Sequence, residues 1–197
     1  ELPKDEKNKI ALFCSVPNNS VISMHDVDTV YSIPVLLNKQ KVDKTILNKL
    51  KIKTTNPKLN DWKRVIKAKL LPEREVNVSF VGKYTELKDS YKSINEALEH
   101  AGIKNKAQVN INFVEAENIT PKNIRKTLKN ADAVLVPGGF GERGIEGMIL
   151  ACKYARENDI PYLGICLGMQ VAIIEYARNV LKLKDANSTE FNKDTKH

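Results

Sequence analysis

The sequence predicts an α/β fold, a mostly parallel sheet flanked by helices on both faces, preceded by the tail of a second α/β domain. Three observations carry that prediction. From Val76 to Leu181, short apolar strands alternate with segments of helical periodicity. The stretches between strands are long enough to hold a helix, as right-handed crossovers between parallel strands require. Glycine-rich turns follow two of the strands, at Pro137-Gly138-Gly139 and at Gly164-Ile165-Cys166.

Taken in order, Lys9-Ile10-Ala11-Leu12-Phe13-Cys14 reads as a short strand, followed by a polar loop through Pro17-Asn18-Asn19-Ser20. Helical patterns follow at Ile33 to Gln40 and at Thr45 to Lys51. A single strand cannot form a parallel sheet, so residues 1–52 are expected to be the C-terminal part of a larger domain. Residues 53–75 turn polar, bracketed by Thr54-Thr55-Asn56-Pro57 and Pro72-Glu73-Arg74-Glu75 around one helix at Trp62 to Leu70; this is linker chemistry. The second domain occupies 76–197. Its strands are expected at Val76 to Val81, Val109 to Val114, Ala133 to Val136 and Pro161 to Ile165. Its helices are expected at Asp89 to Ala101 (apolar Ile94, Ala97, Leu98 and Ala101), after Thr120-Pro121 as cap and first-turn proline, at Gly144 to Glu157, and at Gly168 to Leu181.

Composition bounds the function classes. The 197 residues are 42% apolar and 28% charged, the balance of a globular chain. No run of about 18 apolar residues occurs, which argues against a membrane span. The start, Glu1-Leu2-Pro3-Lys4-Asp5-Glu6-Lys7, is charged and unlike a signal peptide, so a cytoplasmic location is expected. The net charge of +8 could attract nucleotides or nucleic acid, but the lysines are dispersed and no basic stripe interleaved with aromatics appears. The excess reads as solvated surface, without a nucleic-acid partner.

The three cysteines, Cys14, Cys152 and Cys166, are widely spaced and lack C-x-x-C pairing, which argues against a disulfide framework and a zinc site; no metal ligands are predicted. Cys14 and Cys152 read as small core residues. Cys166 stands in Gly164-Ile165-Cys166-Leu167-Gly168, of the form G-x-C-x-G, between an apolar strand and a helix. This is the cysteine counterpart of a nucleophile elbow. The glycines allow a sharp turn where side chains would collide, and the positive end of the following helix faces the sulfur, favouring the thiolate that attacks. A glycine-flanked core cysteine at a strand end is the alternative.

The loop Val136-Pro137-Gly138-Gly139-Phe140-Gly141 also follows a buried strand. Parallel strands release such loops at one sheet edge, so this loop can lie beside Cys166. The backbone N–H groups of Gly139 and Leu167 would then stabilise an oxyanion, each lowering the barrier by roughly 3 kcal/mol. A phosphate-binding loop is the weaker alternative, since neither G-x-G-x-x-G nor a Walker motif is present. In Asn187-Ser188-Thr189-Glu190-Phe191, Glu190 could offer an anion to the ammonium group of an amino-acid substrate. A cysteine enzyme also needs a base, and none of His25, His100 and His197 occupies a promising place.

Pro137-Gly138-Gly139-Phe140-Gly141 together with Gly164 to Gln170 resembles the class I (triad) glutamine amidotransferases, whose sheet is flavodoxin-like. Val81-Gly82-Lys83-Tyr84, Asp89-Ser90-Tyr91-Lys92-Ser93, the run Gly138 to Gly147, Asn187 to Phe191, Lys9 to Cys14, Val21-Ile22-Ser23 and Asp26-Val27-Asp28 are similar to the CTP synthase family. The resemblance implies amination of UTP to CTP, driven by ATP with Mg2+, using ammonia released from glutamine. It implies GTP as activator, CTP feedback and a homotetramer. Under it Cys166 forms the glutamyl thioester, Gly139 and Leu167 are the oxyanion donors, and Gly139, Leu167, Gly168, Met169, Gln170 and Glu190 bind glutamine, Glu190 at its α-ammonium. Lys9 would match a uridine-nucleotide contact, and Val27 would lie near ATP. The family's histidine, glutamate and a glutamine-contacting arginine belong to segments later than His197. The expectation is therefore a fragment without cofactor that turns over neither UTP nor glutamine alone. A glutaminase serving another synthetase, or a noncatalytic interaction module, remain alternatives.

Overall fold

In the computed structural model of the chain, which describes residues 2–83 and 88–197, the run Lys9 to Cys14 expected as a strand is helical. Helix α1 spans Lys4–Phe13. An isolated strand leaves its backbone groups unpaired, whereas a helix satisfies them internally. The helix-forming Lys4 to Asn8 precede the apolar run, and Asp5 and Glu6 lie in the first turn, where the helix dipole favours acids. The buried face is that of Ala11; Cys14, expected in the core, caps the helix end and is exposed. Glu1 of the charged start and Tyr84 of the Val81 to Tyr84 motif lie outside the described residues.

The chain divides into two compact units, Glu1–Pro72 and Glu73–His197. Among its described residues the first unit is helical, with α2 (Ile33–Lys39), α3 (Val42–Lys49) and α4 (Asn60–Leu70) following α1. The first two correspond to the expected helices. The one expected between residues 53 and 75 begins two residues early, and its Trp62 donates a hydrogen bond from Nε1 to the Tyr31 carbonyl. From the C-terminal cap of α2, the Gln40 side chain reaches the loop before that helix, accepting from the Ser23 N–H at 2.9 Å and donating to its carbonyl at 2.8 Å.

The second unit holds β1 (Arg74–Gly82), β2 (Ala107–Glu115), β3 (Ala133–Val136) and β4 (Tyr162–Gly164) in the order β2-β1-β3-β4, every pair parallel. The parallel α/β prediction holds. Pleating turns alternate residues to opposite faces. Val134 and Val136 pack with Met148, Ile149 and Cys152 of α7 (Ile145–Glu157) and Leu167, Val171 and Ile174 of α8 (Leu167–Asn179). On the other face Val78, Phe80 and Leu135 pack with Tyr91 and with Ile94 and Leu98 of α5 (Lys92–Lys104). Helices thus cover both faces. Only Ile94 and Leu98 of the expected apolar stripe face the sheet, while Ala97 and Ala101 are exposed.

Thr120-Pro121 does not open a helix. Asn123 accepts from the Thr120 N–H at 2.8 Å and donates to the Asn118 carbonyl at 2.7 Å, which closes a turn around the proline. The helix that follows, α6, is the single turn Ile124–Thr127, with Asn123 at its cap. Among the described residues no helix is long and apolar enough to cross a membrane.

Candidate active site

Because all four strands run the same way, the residues after β1, β3 and β4 emerge at one edge of the sheet. Lys83 follows β1, Pro137 to Gly141 follow β3, and Ile165-Cys166 follow β4. The order places β3 between β1 and β4, so its glycine loop is flanked by both neighbours.

Cys166 caps α8 with φ 53° and ψ −102°, an unusual conformation for a residue with a side chain. Its neighbours enforce the turn. A Cβ on Gly164 would stand 2.4 Å from the Gly168 backbone, and one on Gly168 would stand 2.2 Å from the Val136 carbonyl oxygen. The flanking glycines are therefore required by backbone-to-backbone approach, as the G-x-C-x-G pattern suggested. Cys166 is exposed and not packed in the core. The Ile165 N–H donates to the Val136 carbonyl at 2.9 Å, tying the elbow to β3. The Tyr162 hydroxyl donates to the Gly168 carbonyl at 2.8 Å from below the first turn of α8.

The glycine loop lies against the elbow. A Cβ on Gly138 would be 3.5 Å from the Cys166 Cβ, and one on Gly139 would be 3.1 Å from Leu167 Cδ2. The first turn of α8 uses the Gly168 amide on the Ile165 carbonyl and the Met169 and Gln170 amides on the Cys166 carbonyl, at 3.0 to 3.2 Å. Gly168 is buried, whereas the Met169 side chain is 54% exposed beside the elbow.

Glu190 reaches the same place. Phe191 packs on the core face of α7 and α8, and the Phe191 and Asn192 amides donate to the Ser188 carbonyl, which folds residues 188–192 into a tight turn. The Glu190 carboxylate then accepts from the Gly141 N–H and from Gln170 Nε2, both at 3.4 Å. These are long contacts, leaving the carboxylate exposed. The Gln170 Oε1 is buried without a hydrogen-bond partner, a free acceptor beside Glu190. The structure thus brings Cys166, Gly139, Leu167, Gln170 and Glu190 to one edge. Lys9 and Val27 belong to the first unit, where Lys9 pairs with Glu6 at 3.2 Å on α1.

Two contributors escaped the sequence reading. Lys83 is only 3% exposed and donates from Nζ to the Phe140 carbonyl at 2.8 Å and to the Gly141 carbonyl. Burial lowers its pKa, as does Arg143, while Glu190 and Glu117 act in the opposite direction. Tyr162 supports the elbow. The usable signal for Lys83 was its place directly after a strand whose neighbour ends in a glycine loop.

His100 stands on α5, across the sheet from α8 and near the helix end that leads into the start of β2, the sheet edge opposite Cys166. His197 is exposed, and its carbonyl accepts from the Asn187 N–H at 3.2 Å. Cys152 is the buried counterpart of Cys166: burial first, then Glu175, pushes its thiol up to about 11. At pH 8 only about a thousandth of it is ionised, and thiolate is the reactive form. Iodoacetamide should therefore modify Cys166 at least about 100-fold faster than Cys152, read by peptide mass; comparable rates would mean the α7 face opens.

Residues 1–52 match the family model for the CTP synthase N-terminus, and residues 86–197 match that for glutamine amidotransferase class-I. Among solved structures, the Trypanosoma brucei CTPS glutaminase domain with bound acivicin is similar at 45% identity and TM-score 0.58. That match covers 62% of this chain and 48% of the other, so the chain spans about half the length of that structure.

Proposed function

The chain belongs to the class-I glutamine amidotransferase family, and from that premise we propose that Cys166 is the nucleophile of a glutaminase that supplies ammonia to a CTP-forming synthetase. The observation that carries this reading is the exposed Cys166 at the positive-φ cap of α8 with the Gly138–Gly139 loop against it. The sulfur attacks the side-chain amide carbon of glutamine, forming a C–S bond while the carbonyl π electrons move to oxygen. The Gly139 and Leu167 N–H groups meet that oxyanion. Collapse breaks the C–N bond and expels ammonia, its added proton taken from solvent, and water then hydrolyses the thioester to release glutamate and restore the thiol.

Glu190 receives the substrate's α-ammonium, and Gln170, whose Nε2 donates to that carboxylate at 3.4 Å, stands beside it. Gly168 lets α8 approach β3, and Met169 stands exposed beside the elbow. His100 stands toward the opposite sheet edge, and these 197 residues are expected to release ammonia slowly at best. The match of residues 1–52 supports UTP and ATP as the synthetase substrates, CTP as product, with Lys9 and Val27 as nucleotide contacts. A homotetrameric, cytoplasmic enzyme activated by GTP belongs to the same proposal. No step is assigned to magnesium, because among the described residues no group of three or more His, Cys, Asp or Glu side chains could hold a metal ion.

The test needs no base from the protein. Acivicin, held by the similar trypanosomal domain, should attach to Cys166 of this chain with saturation, and free glutamine should slow the reaction. A thiol that reacts with iodoacetamide but ignores acivicin at all concentrations would favour a noncatalytic module.

A further inference from the structure

Lys83 joins parts of the site that the chain keeps far apart. Its stem runs along Gly139, where an added Cβ would lie 3.8 and 3.9 Å from Lys83 Cδ and Cε. Its ammonium donates to two consecutive carbonyls, Phe140 and Gly141. Its own carbonyl accepts from Arg143 Nη2 at 2.6 Å, and Arg143 Nε pairs with Glu117 at 3.2 Å, so the lysine is held at both ends. An ammonium buried this deeply is tolerated only where its donors find acceptors, and the loop carbonyls supply them.

The geometry has a directional consequence. In a trans peptide the carbonyl and the N–H point opposite ways. With the Phe140 carbonyl held toward Lys83, the Gly141 N–H of the same peptide faces away from it, and there it meets the Glu190 carboxylate at 3.4 Å. We propose that Lys83 is a positioning residue of the glutamine site: it orients the Phe140–Gly141 peptide, and through that N–H sets where Glu190 receives the substrate's α-ammonium. The inference rests on the glutamine reading above. Without the ammonium, the peptide can rotate and Glu190 loses its backbone donor, while Cys166 and its glycines are untouched.

The experiment uses the full chain and the chloroketone analogue of glutamine, whose chloride is displaced by the Cys166 thiolate. Lys83→Met keeps the stem and removes the charge. It should raise the half-saturating concentration about 10-fold, the equivalent of one hydrogen bond to a charged group, with a far smaller change in the maximal rate. In a Glu190→Gln background the same change should add less than about 2-fold, because the two residues act in one chain of contacts. Effects that multiply, or a Lys83→Met that saturates like the parent, overturn the proposal. A parent chain that shows no saturation overturns the glutamine reading instead. The positioning claim then rests on the amide resonance of Gly141, which should respond to Glu190→Gln and lose that response in Lys83→Met. Should Lys83→Met fail to fold, the resonance in the parent and in Glu190→Gln decides: an unresponsive Gly141 amide sinks the proposal.

Discussion

Gly168→Ala should destabilise the second unit by about 3 kcal/mol and slow covalent labelling of Cys166 at the same time. The new methyl would lie 2.2 Å from the Val136 oxygen and 2.9 Å from its carbon. Both are backbone atoms of the buried strand β3, so neither can move aside as a flexible side chain could. The first turn of α8 must lift off the sheet, which is overpacking at its costly end. That movement carries the Leu167 amide and Cys166 with it, so stability and reactivity fall together. The single tryptophan, Trp62, lies in the first unit and would not report the loss. Amide hydrogen exchange in β3 and α8 would, as a drop in protection of roughly 150-fold. Gly141→Ala makes a useful contrast. It has φ 73° and open space around it, so strain alone should cost about 1 kcal/mol. A Gly168→Ala protein within 1 kcal/mol of the parent would show that α8 does not start against β3 as described.

Cys166→Ala should abolish saturable labelling by glutamine-analogue electrophiles, a fall of more than about 1,000-fold, while leaving the fold intact because the sulfur is exposed. The Cys166→Gly variant separates chemistry from conformation. At φ 53° an L side chain is strained and glycine is not. Cys166→Gly should thus be equally unreactive but about 1 kcal/mol more stable than Cys166→Ala. Such a gain would mean that the protein stores strain at this turn to present the thiol. Equal stability of the two variants would mean the turn is relaxed and the elbow description fails. Cys152→Ala should keep full labelling, since that thiol faces the α7 core.

Much of this was readable before any coordinates, for reasons specific to each element. The strands Val76 to Val81, Ala133 to Val136 and Pro161 to Ile165 are short apolar runs separated by helix-length stretches, and parallel pairing is the arrangement such crossovers allow. The elbow was legible because G-x-C-x-G places glycine on both sides of a side chain that must stand clear of the backbone. Glu190 was legible as an acid suited to an ammonium group, but its place was not; the turn over Ser188 that returns it to the glycine loop involves contacts with no local signature. The run Lys9 to Cys14 misled because its five-residue apolar stretch, Ile10 to Cys14, satisfies strand and helix patterns alike, and the available partners decide between them.

What the amino-acid order determined by itself was therefore local: the period of each segment, the glycines a sharp turn demands, and the cysteine between them. Tertiary structure alone decided which loop meets which. The order β2-β1-β3-β4 sets the glycine loop between Lys83 and Cys166, and burial turns a surface-type lysine into the anchor of that loop. The physical reason is that a buried ammonium and the direction of the peptide it holds are fixed by neighbours distant in sequence, whose positions no short window of residues encodes.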